Sequence, residues 1–214
     1  RPELMPQWSD AQFKDLYKTM LFLRLADLKL INLQRQGRCG TYPSIEGQEA
    51  CQMGTSLALK KSDWIFPAFR EFGICYLHGI PLEKIYLYWM WNEWGSNYDA
   101  CVAPVSIPVG SQPLHAVGYA WAMKLQKKPT ISVSFFGDGA INQGTFHESL
   151  NMASLWSLPI LYVCENNLYG MSTHIKDVSC NEDLGHRLDG YKIKNSSVDG
   201  MDVRVVYKAA QKAI

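Results

Sequence analysis

The chain carries two short clusters whose residue types suit a divalent metal and a phosphate chain: Gly137-Asp138-Gly139-Ala140 and Glu165-Asn166-Asn167. A Mg²⁺ ion takes oxygen ligands in a near-octahedral set. It draws only one or two of them from carboxylates and leaves the others to phosphate and water. Asp138 offers a carboxylate and Asn167 a neutral amide oxygen. The glycines flanking Asp138 let a backbone N–H approach a phosphate closely, where a Cβ would obstruct it. Each cluster by itself is also ordinary turn chemistry at the end of a strand. Their spacing gives them weight, because the intervening residues suffice for a loop, a helix and a returning strand.

The elements needed to bring the clusters together are readable. Residues 130–136 alternate apolar with small polar side chains between Pro129 and Gly137, which predicts a strand ending at Gly-Asp-Gly. A helix is expected over 145–157, and residues 159–164 read as a second, buried strand ending at Glu-Asn-Asn. A right-handed crossover between parallel strands puts both clusters at one edge of a sheet, where ligands of open α/β sheets bind.

Composition narrows the class. With 214 residues, 47% hydrophobic and 19% charged, the chain can bury one substantial core, and a single domain is expected. A net charge of +1 without a basic run argues against nucleic acid as a main partner. There is no apolar run of bilayer-spanning length, and residues 1–6 lack the apolar stretch of a signal peptide, so a soluble chain with no membrane partner is expected. Six cysteines without Cys-x-x-Cys spacing favour free thiols in a reducing compartment. His115, His147, His174 and His186 show no His-x-x-x-His spacing.

Elsewhere, Ser9 with Gln12 forms a capping-box pattern ahead of an apolar stripe that ends before Gly37. Both faces of that helix become apolar around residues 20–25, so it is expected to pack on two sides, a partner subunit being one candidate for the second. Residues 47–50 lead into a helix reaching about Lys60, and Pro81 opens an aromatic-rich helix read over 82–94. Another helix is expected over 113–125, where Gly118, Ala120 and Ala122 would allow close packing. A short helix is placed near 182–188, a third strand over 191–198, and a last helix capped by Asp202. Arg70, after the apolar segment 63–69, reads on its own as surface charge.

The text around the two clusters carries a resemblance. The run Gly-Asp-Gly-Ala-Ile-Asn-Gln-Gly-Thr-Phe-His-Glu-Ser-Leu-Asn-Met-Ala from Gly137, and Cys-Glu-Asn-Asn-Leu-Tyr-Gly-Met-Ser-Thr from Cys164, resemble the α subunit of the decarboxylating component of 2-oxo acid dehydrogenase complexes, which uses thiamin diphosphate. The resemblance covers nearly the whole chain, from about Leu16 to Ile214. It implies an α/β fold, a parallel sheet with helices on both faces that binds thiamin diphosphate and Mg²⁺. Asp138, Asn167 and the Tyr169 carbonyl would serve the metal. Arg70, paired with Phe69 where the family more often has tyrosine, and the Gly139-Ala140 backbone would serve the diphosphate. Ile107 and Val109 would face the aminopyrimidine. Ser106, Pro108, Ser111 and Gln112 match a monovalent-cation loop of branched-chain members, implying K⁺.

The same resemblance implies a β subunit in an α2β2 heterotetramer, which supplies the glutamate that relays protons, and acyl transfer to the lipoyl arm of the complex's acyltransferase. The substrate would be a branched-chain 2-oxo acid, with pyruvate second. The compartment would be the cytoplasm, or the mitochondrial matrix in a eukaryote. Family chains continue beyond the length seen here, so a C-terminal part is expected to follow. Two other readings stay open: a non-catalytic nucleotide- or phosphate-binding α/β domain, against which the absence of Gly-x-Gly-x-x-Gly counts for dinucleotides, and a split transketolase-like subunit.

Overall fold

The computed structural model describes residues 8–181 and 183–214. The expectation for residues 1–6 and the Glu182 start of the short helix lie outside them. In chain order the helices are α1 (Asp10–Arg35), α2 (Glu49–Ala58), α3 (Phe72–His78), α4 (Leu82–Trp89), α5 (Ser111–Leu125), α6 (Gly144–Leu155), α7 (His186–Asp189) and α8 (Val203–Ala213). The strands are β1 (Trp64–Phe66), β2 (Ser132–Gly137), β3 (Ile160–Glu165), β4 (Tyr169–Gly170) and β5 (Thr173–His174). They fall into two compact units. One comprises the described residues up to Lys61 with Arg70–Cys101 and Val198–Ile214; the other comprises Ser62–Phe69 and Val102–Ser197.

The first unit is helical. Ser9 caps α1 as expected: its hydroxyl accepts the Gln12 N–H, and the Gln12 side chain reaches back to the Ser9 N–H. Leu16, Leu23, Leu30 and Leu33 of α1 are buried, whereas Phe13, Tyr17, Leu21, Phe22, Leu25 and Leu28 remain exposed along it. Helices α2 and α8 cross closely at Gly54, where a Cβ would lie 2.8 Å from both the Val203 carbonyl oxygen and Val206. Asp202 caps α8 by accepting the Arg204 N–H, and its pairing with the Arg204 guanidinium holds its carboxyl below the usual value. The aromatic helix is shorter than read. It stops at Trp89 and a 3-10 turn follows at Glu93–Ser96, because the chain reverses at Trp91 with a φ of 60°.

The second unit carries a parallel sheet in the order β1-β2-β3, flanked by helices. The alternation in β2 is one of size rather than exposure. Ser132, Val133, Ser134, Phe135 and Phe136 are all buried, and the Ser132 hydroxyl donates to the Ala116 carbonyl of α5. Ser132 and Ser134 on that face let α5 come close, while Phe135 on the other is fully buried and contributes about 1.5–3 kcal/mol by leaving water. Strand β3, expected to be buried, is half-buried because it lies at the sheet's edge.

Two expectations are corrected. The third strand is β1, a three-residue piece of the segment ahead of Arg70, too short for alternation to announce it. Residues 191–198 form no strand; Tyr191 and Ile193 instead pack their side chains on a core of Phe136, Ala140, Ile141, Phe146 and Leu150. Gly118 also differs from expectation: it is exposed on α5, and nothing lies within 4 Å of where its Cβ would be. All six cysteines are free. Among the described residues no helix is long and apolar enough to cross a membrane.

Candidate functional site

Parallel pairing of β2 and β3 sets Gly137 opposite Glu165, so the two clusters leave the sheet side by side. Asp138 opens a 3-10 turn, Asp138–Asn142, and is only 4% exposed. The Asn167 N–H reaches Asp138 Oδ1 at 3.4 Å, a long hydrogen bond. Asn167 Oδ1 accepts the Tyr169 N–H at 2.9 Å, which bends the chain into the β4–β5 hairpin. The hairpin folds back over the turn, and a Cβ on Gly139 would meet the Gly170 Cα at 3.6 Å. Asp138, Gly139, Ala140, Asn167 and Tyr169 are therefore brought together.

The donor set fits a hard divalent cation. A buried carboxylate ordinarily needs a cation or several hydrogen bonds. None of the ion pairs among the described residues involves Asp138, and the hydrogen bond it receives from Asn167 is long. No cluster of three or more His, Cys, Asp or Glu side chains stands ready for a metal among the described residues. Gly139 has no left-handed φ, and its Cβ would find only ordinary contact, so folding by itself does not demand glycine there. A ligand approaching the backbone would.

The loop before α5 is fastened next to this turn. Gly110 has a φ of 86°, its Cβ would lie 2.8 Å from Gln143, and its carbonyl accepts the Thr145 hydroxyl at 2.9 Å. The loop presents Ile107 and Val109 at 53% and 48% exposure, apolar side chains directed to solvent. Behind them Gln112 is 1% exposed; its Nε2 donates to the Ser106 and Pro108 carbonyls at 2.7 and 3.3 Å. Ser106 and Ser111 share a hydroxyl hydrogen bond of 2.6 Å, and Gln112 Oε1 is buried without a hydrogen-bond partner. The loop thus gathers several oxygens, of which Gln112 Oε1 is buried without a partner.

Phe69, half-buried, ends the first segment of this unit, whereas Arg70 belongs to the helical unit. There Arg70 is held at three points. Its N–H donates to Glu71 Oε2 at 3.0 Å, its carbonyl accepts Gln52 Nε2 at 3.0 Å, and its Nη1 donates to the Ser44 carbonyl at 2.6 Å. Of these three contacts only the last involves the guanidinium.

Residues that sequence reasoning passed over support both parts. Arg187 spans from α7 to the metal-type turn, donating to Asn142 Oδ1 at 2.8 Å, to the Ile141 carbonyl at 3.4 Å and to Ser179 Oγ at 2.6 Å. The sequence places Arg187 in a short helix of a polar stretch, and nothing local marks the contact. Cys164, beside Glu165, has its thiol pushed up by burial, with Asp138 and Glu165 adding to the effect. In the helical unit Asp27 is fully buried, which an acidic residue inside the apolar stripe of α1 could have signalled.

Comparison with known proteins adds the following. The profile of the dehydrogenase E1 component family matches residues 17–214. The chain is similar to the 3-methyl-2-oxobutanoate dehydrogenase subunit alpha of Mycobacterium tuberculosis, 36% identical over 200 residues that make up 92% of this chain and 54% of the relative. It is also similar to the pyruvate dehydrogenase E1 component subunit alpha of Staphylococcus aureus, 34% identical over 213 residues, 99% of this chain and 58% of the relative. A Bacillus cereus protein of that same name is 36% identical over 209 residues, 96% of this chain and 56% of the relative. The chain spans about half the length of these relatives.

Proposed function

Because the chain belongs to the dehydrogenase E1 component family, we propose that it is the thiamin-diphosphate-binding part of the α subunit of a 2-oxo acid dehydrogenase. The observation that carries this reading is Asp138, a buried carboxylate outside every ion pair of the described residues, set beside Asn167 at the end of a parallel strand pair. Asp138, Asn167 and the Tyr169 carbonyl would hold Mg²⁺. The Gly139 and Ala140 backbone and Arg70 would take the diphosphate, and Phe69 would stand beside Arg70. Ile107 and Val109 would hold the aminopyrimidine by apolar contact. A K⁺ ion in the loop of Ser106, Pro108, Ser111 and Gln112 would give Gln112 Oε1 the partner it lacks.

When bound, thiamin diphosphate supplies the nucleophilic carbon and the electron sink for loss of carbon dioxide from a 2-oxo acid. The residues here bind and orient. Asp138 would hold the cation that offsets the phosphate charge, Arg70 would offer its guanidinium to phosphate oxygens, and the apolar pair would keep water from the ring. The proton-relaying glutamate would come from a β subunit in an α2β2 assembly, and the acyl group would pass to the lipoyl arm of the acyltransferase. The exposed apolar residues of α1 support a partnered chain. A relative acting on 3-methyl-2-oxobutanoate by name favours a branched-chain substrate, with pyruvate next.

Titration with thiamin diphosphate, NAD⁺ and ATP, each with Mg²⁺, tests the reading. Mg²⁺-dependent binding of thiamin diphosphate alone is expected. Tight nucleotide binding with no thiamin diphosphate uptake, even after a β subunit is added, would replace it with a nucleotide-binding domain.

A further inference from the structure

Asp27 sits fully buried in the middle of α1, and the mechanism above leaves it unused. Its carboxylate is saturated by one loop: Oδ1 accepts the Tyr42 hydroxyl at 2.5 Å and the Ile45 N–H at 2.9 Å, and Oδ2 accepts the Ser44 hydroxyl at 2.6 Å. These three donors all come from residues 42–45, whose start is also fixed by the Tyr42 N–H on Gln34 Oε1 at 2.7 Å. Burial and the bond to Asp27 push the Tyr42 hydroxyl up, so it remains a donor.

The peptide group joining Ser44 to Ile45 connects this to Arg70. A trans peptide is planar, so its N–H and C=O point in opposite directions. The N–H faces the Asp27 carboxylate, and the C=O accepts Arg70 Nη1 at 2.6 Å. Carboxylate, peptide and guanidinium thus form a hydrogen-bonded chain in which each bond polarises the next. Fixing a loop alone would need only a neutral acceptor, which costs less to bury than a carboxylate. A negative charge behind the peptide strengthens the carbonyl dipole that aims the guanidinium.

The geometry points to Asp27 as the positioning residue for Arg70, acting through the Ser44–Ile45 peptide to hold the guanidinium ready for a diphosphate. This rests on the reading of Arg70 given above. The test is a double-mutant cycle on the full-length α subunit assembled with its β subunit, with the Kd of thiamin diphosphate measured by calorimetry in saturating Mg²⁺ for wild type, Asp27→Asn, Arg70→Ala and the double variant. Asp27→Asn and Arg70→Ala should each weaken binding about ten-fold or more, and the double variant should be no weaker than Arg70→Ala within about two-fold.

The apparent KM for the cofactor should rise in Asp27→Asn while kcat at saturating cofactor holds within about two-fold. Independent, multiplying losses, or an unchanged Kd in Asp27→Asn, would overturn the role of Asp27 alone. Unchanged binding in Arg70→Ala would overturn the diphosphate role of Arg70 and the proposal with it. Should Asp27→Asn fail to fold, Tyr42→Phe takes its place in the same cycle, with a loss of about three-fold that disappears in the Arg70→Ala background expected.

Discussion

Asp138 separates the demands of folding from those of binding. A buried carboxylate outside the ion pairs of the described residues costs folding energy that a bound cation would offset, which is what the proposed Mg²⁺ role of Asp138 implies. Asp138→Asn keeps the shape and removes the charge. The ligand-free variant should melt no lower than wild type, while Mg²⁺-dependent affinity for thiamin diphosphate should fall by more than the roughly 10–100-fold that losing an outer hydrogen-bond partner of a metal ligand costs. Scanning calorimetry gives the first quantity and titration calorimetry the second; unchanged cofactor affinity would reduce the cluster to a turn. Arg70→Lys probes the phosphate end. It keeps the charge but not the fork, and a loss of about 1.5–3 kcal/mol in cofactor binding is expected from a charge-assisted hydrogen bond. Equal affinity would place Arg70 outside the site.

Among the elements, α5 and the loop leading into it decide whether Ile107 and Val109 are held in place. Two glycines bracket the problem with opposite signs. At Gly110 the φ of 86° and Gln143 at 2.8 Å oppose a side chain, so Gly110→Ala should destabilise by about 1–3 kcal/mol and loosen the loop. At Gly118, mid-helix with open space beyond, Gly118→Ala should stabilise by about 1 kcal/mol through helix propensity. Denaturant melts of the two variants side by side decide this, and equal signs would contradict the backbone account. The contrast also shows what sequence could and could not supply. Local signals were legible: the Ser9 capping box, the Asp202 cap, and the strand–helix–strand unit that carries Asp138 and Asn167. Non-local ones were not. The strand at Trp64–Phe66 exists because it pairs with β2, and residues 191–198 fail to form one because their apolar side chains find a core without a ladder. Arg187 and Asp27 acquire their roles from partners distant in sequence, on Asn142 and on the loop at Tyr42–Ile45.

For the molecule as a whole, the remaining question is what the proposed assembly turns over. A substrate pocket that distinguishes 2-oxo acids must do so by the size of an apolar side chain. One methylene is worth only about 1–3 kcal/mol there, so neighbouring substrates should overlap rather than be excluded. The pyruvate dehydrogenase relatives match almost the full chain as well, which argues that whatever sets the preference is subtle. With the full-length chain joined to a β subunit and loaded with thiamin diphosphate and Mg²⁺, carbon dioxide release to an artificial electron acceptor should be fastest with 3-methyl-2-oxobutanoate. Pyruvate should follow within the roughly 10–200-fold that such a difference allows. Omitting K⁺ should lower the melting temperature of the loaded heteromer if Gln112 Oε1 holds that ion. Turnover of pyruvate alone would overturn the branched-chain preference. Turnover of sugar phosphates would move the chain to the transketolase-like reading, and turnover of nothing by the loaded heteromer would leave Asp138 and Asn167 as a binding site without a reaction.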